Sequence, residues 1–194
     1  NSGLSWDSLN SFLDYRLSDI EFINELTGFA GGRYGYILKT TNGGINWDSS
    51  RIVPGTFGPF INELYFLNEN TGFAGCSGWD IYKTTNQGQS WVLKTNFGTA
   101  SPVFAFHFFN ENNGIATASN GYILRTTNGG DNWTQGESLS SSDLYDITFV
   151  NQSTGYIVSE GFYENPNILK STNSGANWEK QNFRLFTGTG KPKC

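Results

Sequence analysis

Few side chains in this sequence could do covalent or acid–base chemistry. His107 is the single histidine and sits inside the apolar run VFAFHFF, so it reads as a packed strand residue. Without a second histidine, no Cys/His or Ser/His/Asp site can be built except around it. Cys76 and Cys194 are the only cysteines and have no metal-ligand spacing. They read as separate thiols, with a mutual bridge or an intermolecular bridge through Cys194 as the alternatives. Glycoside hydrolysis needs two carboxyl groups facing each other across a cleft. Glu160 and Glu164 share one loop, and spacing puts no carboxyl opposite them. The expectation is a protein that is not an enzyme and holds neither metal nor cofactor.

Composition narrows the class further. The 194 residues include 24 Gly, 16% aromatic and only 15% charged residues, the profile of strands and tight turns. A net charge of -5 leaves no broad basic face for a phosphate backbone, which argues against nucleic acid as a partner. The longest apolar run is far short of the roughly 20 residues of a membrane-spanning helix, so no membrane span is expected. The chain opens at Asn1 without an initiator Met or a charged-then-apolar leader, which fits a processed or trimmed chain.

Aromatic side chains remain as candidates for recognition, and a repeat must position them. The box KTTNGGINW (Lys39 to Trp47) recurs as KTTNQGQSW, RTTNGGDNW and KSTNSGANW, with a truncated copy, NSGLSW, ending at Trp6. Its parts are Asn42, Gly44 and Trp47; Asn86, Gly88 and Trp91; Asn128, Gly130 and Trp133; and Asn173, Gly175 and Trp178, at a mean period of 43 residues. Between boxes runs a second motif, IEFINELTGFAGG in the first copy, which reads as strand, turn, strand.

One unit then holds four short strands, near 19–23, 28–31, 36–40 and 46–53 in the first copy. Apolar residues of both parities require stacked sheets. Four-stranded antiparallel units of this period predict an all-β β-propeller, with a solenoid as runner-up. In the box, Asn42 can accept a backbone N–H, Gly44 can take a positive φ and Thr40 can add a hydroxyl bond. Trp47 is expected to fold beneath the turn and fill space between adjacent sheets, where truncation would cost roughly 3–5 kcal/mol.

The predicted organisation is an outer strand of an incomplete blade at 1–18, four blades at 19–186 and a tail at 187–194. The spare strand predicts part of a larger ring, completed by a longer chain or by another chain. Lys39, Lys83, Arg125 and Lys170 precede the boxes and read as solvated strand ends with packed stems.

The connectors and second-to-third-strand loops are predicted to share the face opposite the boxes, and that face is aromatic. Trp79 lies outside every box, at the place of Gly35 and Gly121, and is expected to be an exposed ring for a sugar or protein partner. Arg33, Tyr34, Phe57, Phe60, Phe97, Phe162 and Tyr163 would extend the same ligand-binding patch.

The box pattern S/T-x-D/N-x-G-x-x-W resembles the Asp-box, or bacterial neuraminidase repeat, with Asn in the Asp position. With its F-x-N-x-x-x-G-F-A-G half, the unit is most similar to propellers of the photosystem II assembly and stability factor type, a group that includes many secreted bacterial repeat proteins. An amide brings no charge to a hard cation, which weakens any calcium role for the boxes. The resemblance implies an arginine-rich patch, for which this sequence has only Arg16, Arg33, Arg51, Arg125 and Arg184. A seven-bladed member would need roughly 300 residues at this period.

The function implied is a non-catalytic binding or scaffold propeller, extracellular or periplasmic, recognising protein or glycan through the aromatic face. The alternatives are a structural subunit of a surface layer or filament, and a sialidase- or xyloglucanase-like glycoside hydrolase. A sialidase needs three arginines on a carboxylate, a Tyr–Glu pair and an acid/base Asp, and only SRIVPG around Arg51 faintly matches one of its segments.

Overall fold

The computed structural model describes residues 15–55, 57–95, 97, 101–139, 141–160 and 167–181. The truncated box with Trp6, the strand assigned to 1–18, Phe162, Tyr163, Glu164, Arg184, the tail at 187–194 and Cys194 lie wholly or largely outside them.

The described residues form four sheets of four antiparallel strands, each sheet in chain order. Blade 1 is β1 (Leu17–Phe22), β2 (Gly28–Gly32), β3 (Tyr36–Thr40) and β4 (Asp48–Arg51). Blade 2 is β5 (Ile61–Phe66), β6 (Gly72–Cys76), β7 (Ile81–Thr84) and β8 (Val92–Leu93). Blade 3 is β9 (Val103–Phe108), β10 (Gly114–Ala118), β11 (Tyr122–Thr126) and β12 (Thr134–Ser138). Blade 4 is β13 (Leu144–Phe149), β14 (Gly155–Ser159), β15 (Asn167–Ser171) and β16 (Glu179–Lys180). Single 3-10 turns at Arg33–Gly35 and Ser119–Gly121 are the only helical segments among the described residues. The first strands lie side by side, β1 against β5, β5 against β9 and β9 against β13, so they are the innermost strands of a propeller arc.

Each box is built on one hydroxyl. Thr40 Oγ1 accepts the Gly44 N–H at 2.9 Å and donates its proton to Asn42 Oδ1 at 3.0 Å, and that oxygen also accepts the Asn46 N–H at 3.0 Å. Thr84 with Asn86, Thr126 with Asn128 and Ser171 with Asn173 repeat the relay. The relay uses one side-chain oxygen, so an amide serves as well as a carboxylate. The turn places two successive residues at positive φ, ending on Gly44 (+85°), Gly88 (+73°), Gly130 (+78°) or Gly175 (+75°). A second turn supports the first: Asn24 Oδ1 accepts the Leu26 and Thr27 N–H groups, and the Leu26 carbonyl then accepts the N–H of Gly43 in the box.

The box tryptophans fold beneath their turns as expected, Trp47 donating its ring N–H to the Gly44 carbonyl at 3.1 Å, and Trp91, Trp133 and Trp178 pack on the cores between blades. Each indole packs edge-on against the last phenylalanine of the first strand in its own blade: Trp47 on Phe22, Trp91 on Phe66, Trp133 on Phe108 and Trp178 on Phe149, at 5.8–6.1 Å. It staples the hairpin to its own sheet, because the turn aims it back along the blade. Trp133 also meets a ring of the preceding blade, Phe73, at 6.2 Å.

Ring stacks complete the junctions between blades. Phe29 of β2 stacks on Phe66 at 4.3 Å and Phe73 of β6 stacks on Phe108 at 4.7 Å. These side chains press on the bare face of the next box glycine: a Cβ on Gly88 would stand 2.6 Å from Phe29, one on Gly130 2.3 Å from Phe73, and one on Gly175 2.6 Å from Ile115. Glycine therefore meets two demands here, the left-handed backbone and the neighbour's side chain.

The recurrent basic residues are not merely solvated strand ends. Lys39 Nζ donates to the Gln87 carbonyl at 2.7 Å, Lys83 pairs with Asp131 at 3.1 Å, and Arg125 donates to the Gly175 carbonyl. Each reaches the box turn of the following blade, because its strand ends beside that turn. Inner-strand edges are also bridged: Asp19 accepts the Leu64 N–H at 2.7 Å, and Asn62 donates to the Val103 carbonyl at 3.0 Å.

Gly130→Ala should therefore destabilise far more than Gly55→Ala, whose added Cβ would meet nothing within 4 Å. Urea unfolding should show a loss of about 1 kcal/mol for Gly55→Ala, from the backbone alone. Gly130→Ala should lose about 2–4 kcal/mol as overpacking is added. Equal losses would contradict the packing role.

Candidate functional site

The second-to-third-strand loop of blade 1 gathers the residues best suited to recognition. The turn Gly32–Tyr36 places Tyr34 in the left-handed region at φ 58°, an uncommon conformation for a bulky residue. Its ring meets Tyr15 edge-on at 5.0 Å and Phe57 at 5.1 Å, and Tyr15 also stacks on Tyr36 at 5.3 Å. The Arg51 guanidinium lies over Tyr36 at 4.5 Å and over Phe57 at 5.0 Å, and donates to the Tyr36 hydroxyl at 2.8 Å. Arg33 lies over Tyr34 and Arg16 over Phe60, both at 5.9 Å. Three of the five arginines of an acidic chain thus interleave with aromatic rings on one blade. Phe57 is 71% exposed and the Arg16 and Arg33 residues are exposed. Such a surface offers guanidinium edges to carboxylates and ring faces to apolar groups.

Of the sequence-predicted ligand contacts, Arg33, Tyr34, Phe57 and Phe60 come together here. Trp79 and Phe97 do not. Trp79 is 2% exposed, wedged edge-on between Phe97 at 5.6 Å and Tyr122 at 5.1 Å, and it belongs to the core between blades 2 and 3. Its expected exposure is corrected, and the cause is packing. Blade 1 has a glycine at the matching position, Gly35, with buried Ile52 packed against it, whereas blade 2 has Trp79 there and buries the indole itself. Thr95 accepts the Ile81 N–H at 2.8 Å and donates to the Trp79 carbonyl at 2.6 Å, fixing the loop in place.

Sequence reasoning did not single out Tyr15, Arg16, Tyr36 or Arg51 for this patch. The dense YR and RYGY pairings at 15–16 and 33–36 were the available signal.

A second group, also unforeseen, lines the inner strands. Burial, and then the charges of Asp19, Asp146 and Glu21, push the Glu63 carboxyl up to about 8. Burial pushes Glu21 up to about 7, opposed by the Phe66 N–H and assisted by Asp19. Glu63 is therefore largely protonated at neutral pH. No cluster able to hold a metal ion occurs among the described residues. His107 stacks on Phe149 at 4.6 Å, and burial pulls its pKa down, so it is neutral and packed. Cys76 is a free, fully buried thiol pushed well up by burial and by Asp80. No helix among the described residues is long and apolar enough to cross a membrane.

Four-stranded blades stapled by asparagine boxes, with an arginine–aromatic cluster at the end of blade 1 opposite its box, define a β-propeller of the neuraminidase-repeat class. The family model described as photosynthesis system II assembly factor YCF48 matches residues 1–134, and the chain belongs to that family. A structure of YCF48 bound to a D1 peptide superposes with a TM-score of 0.59 at 14% identity, covering 90% of this chain and 83% of that one. An ancestral GH74 enzyme superposes with a TM-score of 0.71 at 22% identity, covering 93% of this chain but only 26% of that one. The GH74 xyloglucanase from Xanthomonas campestris gives 0.63 at 10% identity, over 82% and 28% of the two chains. The chain thus spans about a quarter of these GH74 enzymes, and the likeness is one of fold. No curated protein sequence matches.

The raised carboxyls carry a pH dependence. Both folded values lie above the ordinary 4.5, so between about pH 5 and 8 the folded chain holds protons that the unfolded chain has released. Stability from these groups is complete below pH 4.5 and is lost as pH rises through about 7 and 8. Chemical denaturation should show stability falling over that window. Glu63→Gln should flatten the profile and exceed the parent at about pH 8 by about 1 kcal/mol or more. A parent that gains stability across the window would contradict this.

Proposed function

We propose that this protein is a non-catalytic propeller that binds a protein segment on the arginine–aromatic surface of blade 1. The observation that carries the proposal is the interleaving of Arg16, Arg33 and Arg51 with Tyr34, Tyr36, Phe57 and Phe60. Arginine and tyrosine are enriched among the residues that dominate binding energy in protein interfaces. Their geometry favours a segment with an acidic group beside an apolar or aromatic one, the carboxylate taken by guanidinium edges and the apolar group by Phe57 and Tyr34. That YCF48 is known bound to a peptide supports this reading. A secreted location, extracellular or periplasmic, belongs to the same proposal and rests on the sequence resemblance to secreted repeat propellers.

A glycan is the second reading, favoured by the exposed ring of Phe57 beside Tyr34, a pair on which a sugar face could stack.

Calorimetry against peptides of about 12 residues, differing in acidic and aromatic content, separates these readings. Acidic aromatic peptides should bind, more weakly as salt is raised. Phe57→Ala and Arg33→Ala should each weaken binding about tenfold, or about 1.4 kcal/mol. The protein should release no sugar from fluorogenic glycosides. Binding of oligosaccharides but not peptides, or peptide binding indifferent to both substitutions, would refute the proposal.

A further inference from the structure

The cation that each blade sends to the next box meets different neighbours at each junction. Two positions of the receiving blade decide them: the residue after the asparagine of its first turn, and the residue after its box glycine. Glu69 and Gln89 hold these positions in blade 2, Glu111 and Asp131 in blade 3, and Gln152 and Ala176 in blade 4. At the first junction Glu69 accepts an amide hydrogen of Asn24 at 3.3 Å, and Lys39 donates to the Gln87 carbonyl. At the second, Asp131 pairs with Lys83 at 3.1 Å and with Lys94 at 2.9 Å. At the third, both positions are neutral. Arg125 donates to the Gly175 carbonyl and has no ion pair among the described residues.

A cavity of about 350 Å³ opens at this third junction. Arg125, Asn110, Thr127 and Gln152 are among its polar lining, and Phe109 and Ile115 give it an apolar wall. Arg125 is half-buried, and burial with no carboxylate to oppose it pulls the guanidinium below its ordinary value. A guanidinium carries several N–H donors, so one carbonyl leaves most of them for another acceptor. Asn110 Oδ1 is spent on the Asn112 and Asn113 N–H groups at 2.9 Å, which leaves its amide nitrogen as the part it offers. The Gln152 side-chain amide and the Thr127 hydroxyl have no hydrogen-bond partner among the described residues.

We infer that this cavity binds a small hydroxylated carboxylate of the sugar-acid class, a single uronic acid ring. Its carboxylate pairs with Arg125 as Asp131 pairs with Lys83 at the preceding junction. Its hydroxyls meet the amides of Asn110 and Gln152 and the Thr127 hydroxyl. The C–H face of the ring lies on Phe109 and Ile115. A bare anion would leave the neutral rim and the apolar wall unused, and a neutral sugar would leave the guanidinium unpaired. The volume suits one ring, at the lower end of the roughly 300–1,000 Å³ of small-molecule sites. The site belongs to the box end of blades 3 and 4, so it stands or falls separately from the arginine–aromatic surface of blade 1.

Titration of the isotope-labelled protein with glucuronate, glucose and acetate, followed by amide NMR shifts, tests this. Glucuronate should bind with a Kd of about 1 mM and move the amides of Asn113, Thr127 and Ser174, with glucose and acetate each at least about tenfold weaker. Ala176→Asp supplies the carboxylate that pairs at the second junction. At this exposed position it should keep or raise the melting temperature and weaken glucuronate binding at least about tenfold. Gln152→Ala, also at an exposed position, should leave melting unchanged and weaken glucuronate about threefold. Absence of saturable shifts at those amides would overturn the inference. So would glucose or acetate binding as tightly as glucuronate, or an affinity that neither substitution alters.

Discussion

One hydroxyl per blade holds the architecture together. Thr40, Thr84, Thr126 and Ser171 each take the N–H of a box glycine and give a proton to a box asparagine. A buried hydroxyl that both donates and accepts has no unmet demand, and the turn it closes has one shape. That shape turns the glycine's bare face toward the preceding blade and aims the indole back along its own sheet. Blade-to-blade geometry then follows from what presses on the glycine: Phe29, Phe73 and Ile115.

The same constraint explains how the chain can be acidic overall and still offer a cationic aromatic surface. With the box ends occupied by hydrogen-bonded turns and by basic residues reaching the next blade, the opposite loop of blade 1 is free to display its rings. In blade 1 the junction is filled by Ile52, so Tyr34 and Phe57 remain at the surface and the arginines lie on their faces. In blade 2 the corresponding loop gives up its largest ring to the core. Structurally similar units therefore differ in what they display.

The repeat period, four strands per unit, the turn residues and the positive φ of the box glycines were all readable from the sequence, since each rests on local chemistry: an asparagine, a glycine and a hydroxyl at fixed spacing. The partners of long side chains were not. Trp47 and Trp79 look alike in sequence as large aromatics beside a turn, yet one staples a hairpin and the other plugs a junction, and only the neighbouring sheet decides which. Lys39 and Arg125 read as solvated because their acceptors lie about 50 residues further on, at the carbonyls of Gln87 and Gly175. The site was partly readable: Arg33, Tyr34, Phe57 and Phe60 were named, but Tyr36 and Arg51 join them through a pairing of β3 with β4 that no spacing announces. The raised carboxyls were hidden for the same reason, since Asp19, Glu63 and Asp146 stand on three different blades.

Amide hydrogen exchange of the box glycines tests this account most directly. If the hydroxyl relay and the ring above it hold the arc together, the N–H groups of Gly88, Gly130 and Gly175 should exchange only through global unfolding, with the same free energy as the β6 and β10 core. Exchange of those amides as fast as that of Gly55, which lies in an open turn with nothing within 4 Å of its absent Cβ, would show that the boxes decorate the fold and do not hold it.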